Sequence, residues 1–308
     1  MTTGTVLYGI NNIFTIQAES SIVECRIKGK ILGDGKKEYN PLAPGDNVFF
    51  ETDIHDSKKG MIIQRLERRN AFLRWNKKRK RPQGIAANID GIMCISSPQS
   101  PPFRPRFIDR VAVSASIQDI PFYIVLNKCD QEISPEIEER LAYFQEIGIS
   151  IITGSAKTGK NMDRLSALLS GNLFAFIGQS GVGKSTILNR ICEKKQQKTG
   201  SVSTKHNRGT HTTMFSVLLS CRQDITVIDT PGIREIEVYG IEPEELSRHF
   251  PEMEAYADLC DFPGCTHLHE PGCSVREAVE SGRILYDRYE SYSRIFHSLM
   301  RQKRDIYE

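Results

Sequence analysis

Short runs of alternating apolar and polar residues fill the first part of the chain, and turn residues such as Gly33, Asp34, Pro44 and Gly45 separate them. The alternation covers residues 5–8, 13–17, 22–28, 47–51 and 61–64. Because successive strand side chains point to opposite faces, this pattern predicts about five short strands. Five short strands in so little chain favour a small β-barrel, and we expect an OB-fold.

From Ile89 onward, continuous apolar runs alternate with stretches of helical periodicity, such as residues 135–147 and 162–169. The apolar runs read IDGIMCIS, PFYIVLN, ISIIT, LFAFIG, FSVLLS and ITVID. Strands that are apolar throughout are buried on both faces, and their alternation with helices is typical of α/β domains. The pattern predicts a largely parallel sheet with helices on both faces.

The chain becomes acidic after Gly232 and then reaches a cluster of cysteines. Ser274 is expected to cap the helix that begins VREAVESG, Gly282 to interrupt it, and residues 283–304 to form a longer helix. We therefore predict a third, mostly helical unit. The expected division is an OB-fold domain (1–68), a basic linker (69–88), a central α/β domain (89–238) and a mostly helical domain that holds the cysteine cluster (239–308).

The composition is that of a globular protein. Of 308 residues, 39% are hydrophobic and 26% charged, with a mean hydropathy of −0.36, which excludes wholesale disorder. No apolar stretch approaches the ~20 residues of a membrane helix, and the N-terminal sequence MTTGTVLYGI lacks the pattern of a signal peptide. We expect a cytoplasmic protein without a membrane partner.

The positive charge is concentrated in one segment. Residues 58–81 hold 11 Lys and Arg against 1 acidic residue, whereas residues 1–57 hold 5 against 8. Interleaved with Phe72 and Trp75, such a run is typical of a surface that binds a nucleic-acid backbone. A solvated basic linker explains the same run equally well.

A phosphate-binding loop is predicted at GQSGVGKS, residues 178–185, which satisfies G-x-x-x-x-G-K-[ST] between the strand LFAFI and the helix-forming TILNRIC. Glycines let backbone N–H groups wrap the phosphates, Lys184 supplies a charge to the β and γ oxygens, and the Ser185 hydroxyl binds Mg²⁺. The predicted phosphate-binding residues are Gly178, Gln179, Ser180, Gly181, Val182, Gly183, Lys184, Ser185 and Thr186.

Two nucleotide switches are predicted downstream of this loop. The strand ITVID ends in DTPG, where Asp229 can hold Mg²⁺ through water and the Gly232 amide can sense a γ-phosphate. Before it lies RGTHTT, in which Thr212 or Thr213 could complete the magnesium shell; the sequence leaves the choice open. Taken alone, DTPG also fits a common β-turn.

A guanine-binding loop is predicted at NKCD, residues 127–130, after the strand PFYIVL. The Asp130 carboxylate can accept from guanine N1–H and N2–H₂, whereas adenine would leave that charge unpaired. Asn127 supports the loop and the Lys128 stem can lie along the base. The remaining predicted base-binding residues are Cys129 and, after the strand ISIIT, Ser155, Ala156 and Lys157, whose backbone amides would meet guanine O6.

Along the chain the elements occur in this order: the guanine-binding loop NKCD, the loop SAK, the phosphate-binding loop, the first switch and the second switch. Ordinary GTPases place the phosphate loop first, so the chain is expected to be circularly permuted, which a domain whose termini lie close together tolerates. In this order the second switch continues directly into the C-terminal unit. We therefore expect events at the γ-phosphate to reach that unit without a long relay.

The cysteine cluster CDFPGCTHLHEPGC contains C-x₄-C-x-H-x₅-C. Cys260, Cys265, His267 and Cys273 are the predicted ligands of one structural Zn²⁺, with His269 as the competitor for the histidine position. A disulfide disagrees with the expected compartment, and a catalytic zinc would need an open position. The scattered cysteines are expected to be small buried apolar residues: Cys25, Cys94, Cys129, Cys192 and Cys221.

Together these motifs resemble the ribosome small-subunit-dependent GTPase A family, called RsgA or YjeQ. The likeness includes IAANID, NKCD, SAK, GQSGVGKST, GTHTT, DTPGIRE, IEPEEL and CTHLHEPGC. The resemblance implies an OB-fold, a permuted GTPase domain and a zinc domain, and a role in late small-subunit maturation with GTP hydrolysis stimulated by that subunit. It implies GTP, GDP, Mg²⁺, Zn²⁺, the small subunit and its rRNA as ligands and partners, and we expect a monomer.

One catalytic element is missing from the sequence. Ras-like enzymes position the attacking water with glutamine after the switch glycine, and this chain has Ile233 there. We expect slow hydrolysis by the free protein. The resemblance implies that His211 positions water; alternatively it contacts only rRNA or protein. The predicted catalytic set is His211, Lys184, Thr212 and Thr213.

Two other functions remain open at this level. A permuted GTPase could act in large-subunit assembly instead. Alternatively, the chain could be an RNA-binding switch with negligible turnover, whose nucleotide only sets its affinity for RNA. Sedimentation with separated subunits distinguishes the first alternative, and phosphate release distinguishes the second.

Overall fold

The computed structural model describes residues 2–28, 38–192, 215–222 and 224–307. The N-terminal strands form a closed barrel in the order β1-β2-β3-β5-β4. Only β3 and β5 pair in parallel; the other pairs, including the closing pair β1 and β4, are antiparallel. The predicted five-stranded barrel is confirmed. Its strands are β1 (Thr2–Ile10), β2 (Ile13–Gln17), β3 (Ile22–Ile27), β4 (Asn47–Thr52) and β5 (Lys59–Arg65).

The barrel interior follows from the alternation of its strands. Phe14 and Ile16 of β2 point inward and face Val23 and Cys25 of β3, and Phe50 of β4 is fully buried among them. This period of two places the apolar side chains in one core and the polar ones on the surface.

Residues 69–88, predicted as a basic linker, contain a β-hairpin. Its strands β6 (Ala71–Asn76) and β7 (Arg81–Ala87) pair antiparallel. Phe72 is fully buried in the core below the central sheet, and Trp75 is buried against Tyr239, with stacked ring centroids 5.6 Å apart. The expectation that these two aromatics interleave with charge to meet a nucleic acid is therefore wrong, because both pack inside the protein.

The central sheet has six strands in the order β10-β9-β8-β11-β13-β12. All neighbours are parallel except β12 and β13, which form an antiparallel edge pair. The predicted, largely parallel sheet is confirmed. Its strands are β8 (Gly91–Ser96), β9 (Phe122–Leu126), β10 (Ser150–Thr153), β11 (Leu173–Gly178), β12 (Val217–Arg222) and β13 (Ile225–Asp229).

Helices cover both faces of this sheet. On β8, Ile92 and Cys94 face one core, whereas Met93 and Ile95 face the other. The first core contains α1 (Pro105–Ser116) and α2 (Pro135–Glu146), and the second contains α3 (Met162–Leu169) and α4 (Lys184–Ile191). This arrangement is the two-sided packing that the apolar strands predict.

The C-terminal unit is helical, as predicted. Ser274 is the first helical residue and not the cap: Cys273 takes the cap position, and the Ser274 hydroxyl donates to the Leu259 carbonyl oxygen at 2.9 Å. Within the described part of the chain, no helix combines the length and apolarity needed to cross a bilayer. The elements are a 3₁₀ helix (Pro243–His249), α5 (Pro251–Ala257), α6 (Ser274–Glu280) and α7 (Tyr286–Tyr307).

A buried ionic cluster joins this unit to the central domain. The Arg288 guanidinium of α7 contacts Asp109 of α1 at 2.7 Å and Glu252 of α5 at 2.6 Å, and Arg140 of α2 contacts the same Asp109 at 3.0 Å. Burial alone lowers the pKa of Arg288, but the two carboxylates raise it above its usual value, so the side chain stays charged. Removing one member would leave a buried charge without its partner, which is strongly destabilising. The intact cluster therefore resists separation of the helices that carry it.

The scattered cysteines behave in two ways. Cys25 and Cys94 are buried thiols, as predicted, and Cys129 is half-buried. Cys192, just after α4, and Cys221 in β12 form a disulfide with Cα atoms 4.4 Å apart. The prediction of isolated apolar cysteines is therefore wrong for this pair, because the fold brings together two residues that are distant in sequence.

Candidate nucleotide and metal sites

The predicted nucleotide loops meet at one edge of the central sheet. NKCD follows β9, the SAK loop follows β10, the phosphate-type loop follows β11, and DTPG follows β13. Because β8 to β11 and β13 are parallel, their carboxyl ends share one edge. Ligands of open α/β sheets bind at this edge. The topology therefore brings the predicted base-binding and phosphate-binding loops together, although their order along the chain is permuted.

Asn127 connects three of these loops. It is buried, its Nδ2 donates to the Val182 carbonyl oxygen at 2.9 Å, and its Oδ1 accepts from the Ala156 amide at 3.0 Å. The neighbouring Lys128 ammonium donates to the Gly181 carbonyl oxygen at 2.7 Å. One residue thus fixes the base-type loops relative to the phosphate-type loop, which sets the span that a nucleotide must bridge.

Asp130 presents an ionised carboxylate at the base end of the site. The Ser155 hydroxyl donates to Oδ1 at 2.6 Å, and Lys157 Nζ lies 3.7 Å from Oδ2. The Ser155 hydrogen bond is the main reason that the pKa of Asp130 lies below its usual value, and its own backbone amide and the charge of Lys157 lower it further. The carboxylate stays in the acceptor form that guanine N1–H and N2–H₂ require.

The phosphate-type loop has the backbone of an anion cradle. Gly181 and Gly183 have φ of 86° and 97°, a region that strongly favours glycine. The buried Lys184 ammonium donates to the carbonyl oxygens of Gly178 at 2.7 Å and Gln179 at 3.1 Å. Burial lowers the pKa of Lys184, and the charge of Asp229 opposes this shift. The lysine is held at the loop, where it can meet phosphate oxygens.

The predicted second switch lies against this loop. A Cβ on Gly232 would lie 2.8 Å from Ser180 atoms, and the Ile233 amide donates to the Gly178 carbonyl oxygen at 3.2 Å. The Ile233 side chain is buried in the core, so it cannot orient a water molecule. The sequence identifies this glycine as a switch residue but does not show its contact with the phosphate-type loop.

Ser185 and Asp229 fit the chemistry of a magnesium site. Ser185 lies in the first turn of α4 next to Lys184, and Asp229 ends β13, whose neighbour β11 leads into the loop. A hydroxyl and a carboxylate are the oxygen ligands that Mg²⁺ prefers, usually together with water and phosphate. The predicted residues His211, Thr212 and Thr213 lie outside the described residues.

Gly183 offers a direct test of the cradle. A Cβ at this position would lie 2.3 Å from Asn127 Nδ2, and φ is unfavourable for alanine. We expect Gly183→Ala to lower GDP affinity at least about tenfold in isothermal titration calorimetry, because the loop and its Asn127 contact must shift. Gly171→Ala is the matched control: φ is 72° but nothing lies within 4 Å of its Cβ, so GDP affinity should stay unchanged. Equal affinities for the two variants would contradict the cradle.

The cysteine cluster forms a compact set of potential metal ligands. The ligand atoms of Cys260, Cys265, His267 and Cys273 all lie within 4.8 Å of one another. His267 Nδ1 lies 3.5 Å from Cys260 Sγ and 3.4 Å from Cys273 Sγ, and these two sulfurs are 3.9 Å apart. Tetrahedral Zn²⁺ with the usual bond lengths requires S···S and S···N separations of about 3.8 and 3.6 Å. The cluster is consistent with a closed zinc site.

The surrounding loop favours His267 over His269 as the fourth ligand. His267 is buried with φ of 59°, a left-handed conformation that is costly for a residue with a side chain, whereas His269 is exposed. Hydroxyls of Tyr289 and Tyr292 donate to the carbonyl oxygens of His267 and Thr266 at 2.8 and 2.7 Å. Burial lowers the pKa of His267, which favours the neutral imidazole that binds metal.

These features define the class of protein: a GTPase of the P-loop type with circularly permuted loops, between an N-terminal barrel and a Cys₃His unit. Two family models match it, the "RsgA N-terminal domain" over residues 3–62 and the "RsgA GTPase" over residues 65–239. The chain belongs to the RsgA GTPase family, and the resemblance inferred from its motifs is confirmed.

Individual relatives agree over nearly the whole chain. The small ribosomal subunit biogenesis GTPase RsgA of Borreliella burgdorferi (strain ZS7) is 39% identical over 300 residues, covering 97% of this chain and 96% of the relative. That of Flavobacterium johnsoniae is 36% identical over 313 residues, covering 99% and 96%. The crystal structure of YjeQ from Thermotoga maritima matches with a TM-score of 0.70 and 29% identity over 97% of this chain and 98% of that one. YloQ, a circularly permuted GTPase, matches with a TM-score of 0.66 and 26% identity over 98% and 96%.

Proposed function

We propose that this chain binds GTP with Mg²⁺, hydrolyses it on the small ribosomal subunit and assists late maturation of that subunit. The observation that carries the proposal is the joining of NKCD, SAK and the phosphate-type loop through Asn127. Relatives that match almost end to end are described as small ribosomal subunit biogenesis GTPases, which supports the choice of ribosomal partner. We propose further that it acts in the cytoplasm as a monomer that alternates between GTP and GDP.

The described residues suit distinct tasks in this cycle. Asp130 and the SAK loop hold guanine, while the backbone of the phosphate-type loop and Lys184 hold the phosphates. Ser185 and Asp229 would hold Mg²⁺, which neutralises charge that develops on the transferred phosphate. Gly232 packs on Ser180, so an occupant of the γ-phosphate position would displace it. The second switch is thereby able to report the nucleotide.

We propose that the C-terminal unit responds to the bound nucleotide through the second switch. Residues after the switch are fixed on both sides: the Trp75 amide donates to the Glu237 carbonyl oxygen at 3.0 Å, and Gln302 Nε2 of α7 donates to the Val238 carbonyl oxygen at 3.0 Å. Lys77 Nζ of the hairpin lies 2.6 Å from the Glu237 carboxylate. The hairpin, the segment after the switch and α7 are therefore in direct contact with one another.

Part of the basic segment is available for rRNA and part serves the fold. Arg68 forms ion pairs with Asp46 at 2.6 Å and Glu38 at 3.0 Å, which makes it structural. The hairpin turn, residues 77–81, carries five exposed cations, of which Lys77 also pairs with Glu237 and Lys80 with Asp305. We propose that this turn contacts rRNA, and that one Zn²⁺ per chain stabilises the Cys₃His loop of the C-terminal unit.

Phosphate release with separated ribosomal subunits tests the proposal. We expect slow GTP hydrolysis by the protein alone and a rate increase on the order of 100-fold or more with small subunits, because Ile233 cannot orient water. Stimulation by large subunits would favour the role in large-subunit assembly. Negligible turnover with either subunit, together with RNA binding that depends on the nucleotide, would favour a binding switch.

His211→Ala tests the catalytic assignment of the first switch. If this histidine positions water, we expect subunit-stimulated kcat to fall about 100-fold while GTP affinity and subunit binding persist. His206→Ala is the matched control, since it removes the same side chain from the same segment. Unchanged kcat in His211→Ala would show that this histidine only contacts RNA or protein.

A further inference from the structure

Five arginines from three separate elements line one cavity of about 430 Å³ beside the second switch. Arg104, Arg106 and Arg110 come from the start of α1, Arg234 follows the switch glycine by two residues, and Arg294 belongs to α7. The cavity therefore lies where the central domain, the switch and the C-terminal unit meet. None of the predicted nucleotide or zinc residues lines it.

The two carboxylates in the lining of this cavity do not neutralise its five arginines. Of the two in its lining, Glu235 lies 3.7 Å from Lys77 Nζ, and Asp287 lies 3.0 Å from Arg140 Nη1. Both have cationic partners that do not line the cavity. A positive excess is left inside.

The five arginines differ in how they are paired. Arg106 and Arg294 share one carboxylate, that of Glu290, and Arg110 lies 3.6 Å from Glu237. Within the described residues, the Arg104 and Arg234 guanidiniums make neither an ion pair nor a hydrogen bond, and both are exposed. These two are free to bind an external anion.

Two further features favour phosphate as that anion. The first turn of α1 lines the cavity without an acidic residue or a side-chain cap, so the positive end of its helix dipole is not offset by a carboxylate of that turn. Phe103 lines the cavity next to Arg104. An aromatic ring beside guanidiniums is a common platform for unstacked RNA bases, and planar guanidiniums bind phosphate in a bidentate manner.

We infer that this arginine cavity binds a phosphodiester of RNA and links RNA contact to the second switch. The inference deepens the proposed function, on which it rests, by naming a binding site for the RNA partner. A bound phosphate bridges Arg104 of the central domain and Arg234 of the switch segment. The Arg234 backbone is two peptide bonds from Gly232, so the contact bears directly on the residue that senses the γ-phosphate.

The test uses the full chain with Arg104→Gln and Arg234→Gln combined, because neither substitution breaks an internal ion pair. Its control is the pair Arg164→Gln and Arg190→Gln, which removes the same charge from exposed arginines of α3 and α4 on the opposite sheet face. Retained GDP affinity in both variants shows that the fold is intact. The probe is a fluorescent single-stranded RNA of about 20 nucleotides, titrated between about 50 and 200 mM salt.

We expect the slope of log affinity against log salt to fall by about 0.7 in the cavity variant, since the two arginines share one phosphate and each phosphate contact with a single strand contributes about 0.7. The control should retain the wild-type slope. Equal losses in both variants would show that only net charge matters and would overturn the inference. An unchanged slope, with loss of inorganic phosphate binding by calorimetry, would assign the cavity to free phosphate and overturn the RNA assignment. Subunit-stimulated hydrolysis by the wild type is measured separately, so failure of the proposed function is distinguishable.

Discussion

Asp130→Asn is expected to lower the affinity for GTP on the order of 100-fold or more and to raise the affinity for xanthosine triphosphate. In the proposed guanine complex the Asp130 carboxylate accepts two hydrogen bonds from the base, whereas an asparagine side chain would place a donor against one of them. Xanthine carries an oxygen where guanine carries N2–H₂, so it accepts from that donor. Calorimetry with GTP, ATP and xanthosine triphosphate measures the exchange of specificity.

Two control substitutions accompany this prediction. Asp163→Asn makes the same substitution at an exposed position of α3 and should leave the affinity for GTP unchanged. Lys184→Ala removes the charge at the phosphate end and should abolish binding of every triphosphate, because that end is common to all of them. An Asp130→Asn protein that keeps its preference for GTP would overturn the guanine assignment, as would a wild type that prefers ATP.

His267→Ala is expected to remove zinc from the chain and to destabilise the C-terminal unit by several kcal/mol, since structural zinc contributes directly to folding free energy. The wild type should contain about one zinc ion per chain. Inductively coupled plasma mass spectrometry measures the metal, and chemical denaturation followed by circular dichroism measures the stability. The loop has few apolar residues of its own to replace the lost ligand bonds.

His269→Ala provides the matched comparison, because the two histidines are two residues apart and only His267 lies with the thiols. We expect this variant to keep both its zinc and its stability. The opposite result, with zinc lost only in His269→Ala, would show that the ligand set is wrong. A wild-type chain purified without chelators and free of zinc would overturn the metal site itself.

The permuted order has a physical consequence that these experiments address. In this chain, the residues after Gly232 leave the sheet and pass between the hairpin and α7. A ligand that bound the hairpin, the arginine cavity or α7 would therefore contact elements next to the segment that follows Gly232. Two sites are coupled when each ligand binds one conformation of the protein more tightly than the other. This shared segment is the element whose position both the nucleotide and a ligand of the flanking elements can bias.

The local patterns of the sequence predicted the strands, most helices and the motifs well. The helix over residues 162–169 and the strand over residues 13–17 agree with the structure to the residue. Hairpin strands β6 and β7 were missed because basic residues dominate the segment around Trp75 and neither strand alternates regularly between buried and exposed residues. The high charge of this segment predicted an exposed linker, whereas its aromatic side chains are buried in the fold.

The barrel, the parallel sheet and the identity of the four cluster residues could be predicted from the sequence, because alternation, strand-end loops and metal-ligand spacing are all properties of short segments. The fold itself was needed to show that Asn127 joins three loops, that Cys192 pairs with Cys221 and that five arginines share one cavity. Each of these facts depends on contacts between residues far apart in the chain. Such contacts arise from how apolar faces pack together, which no short segment encodes alone.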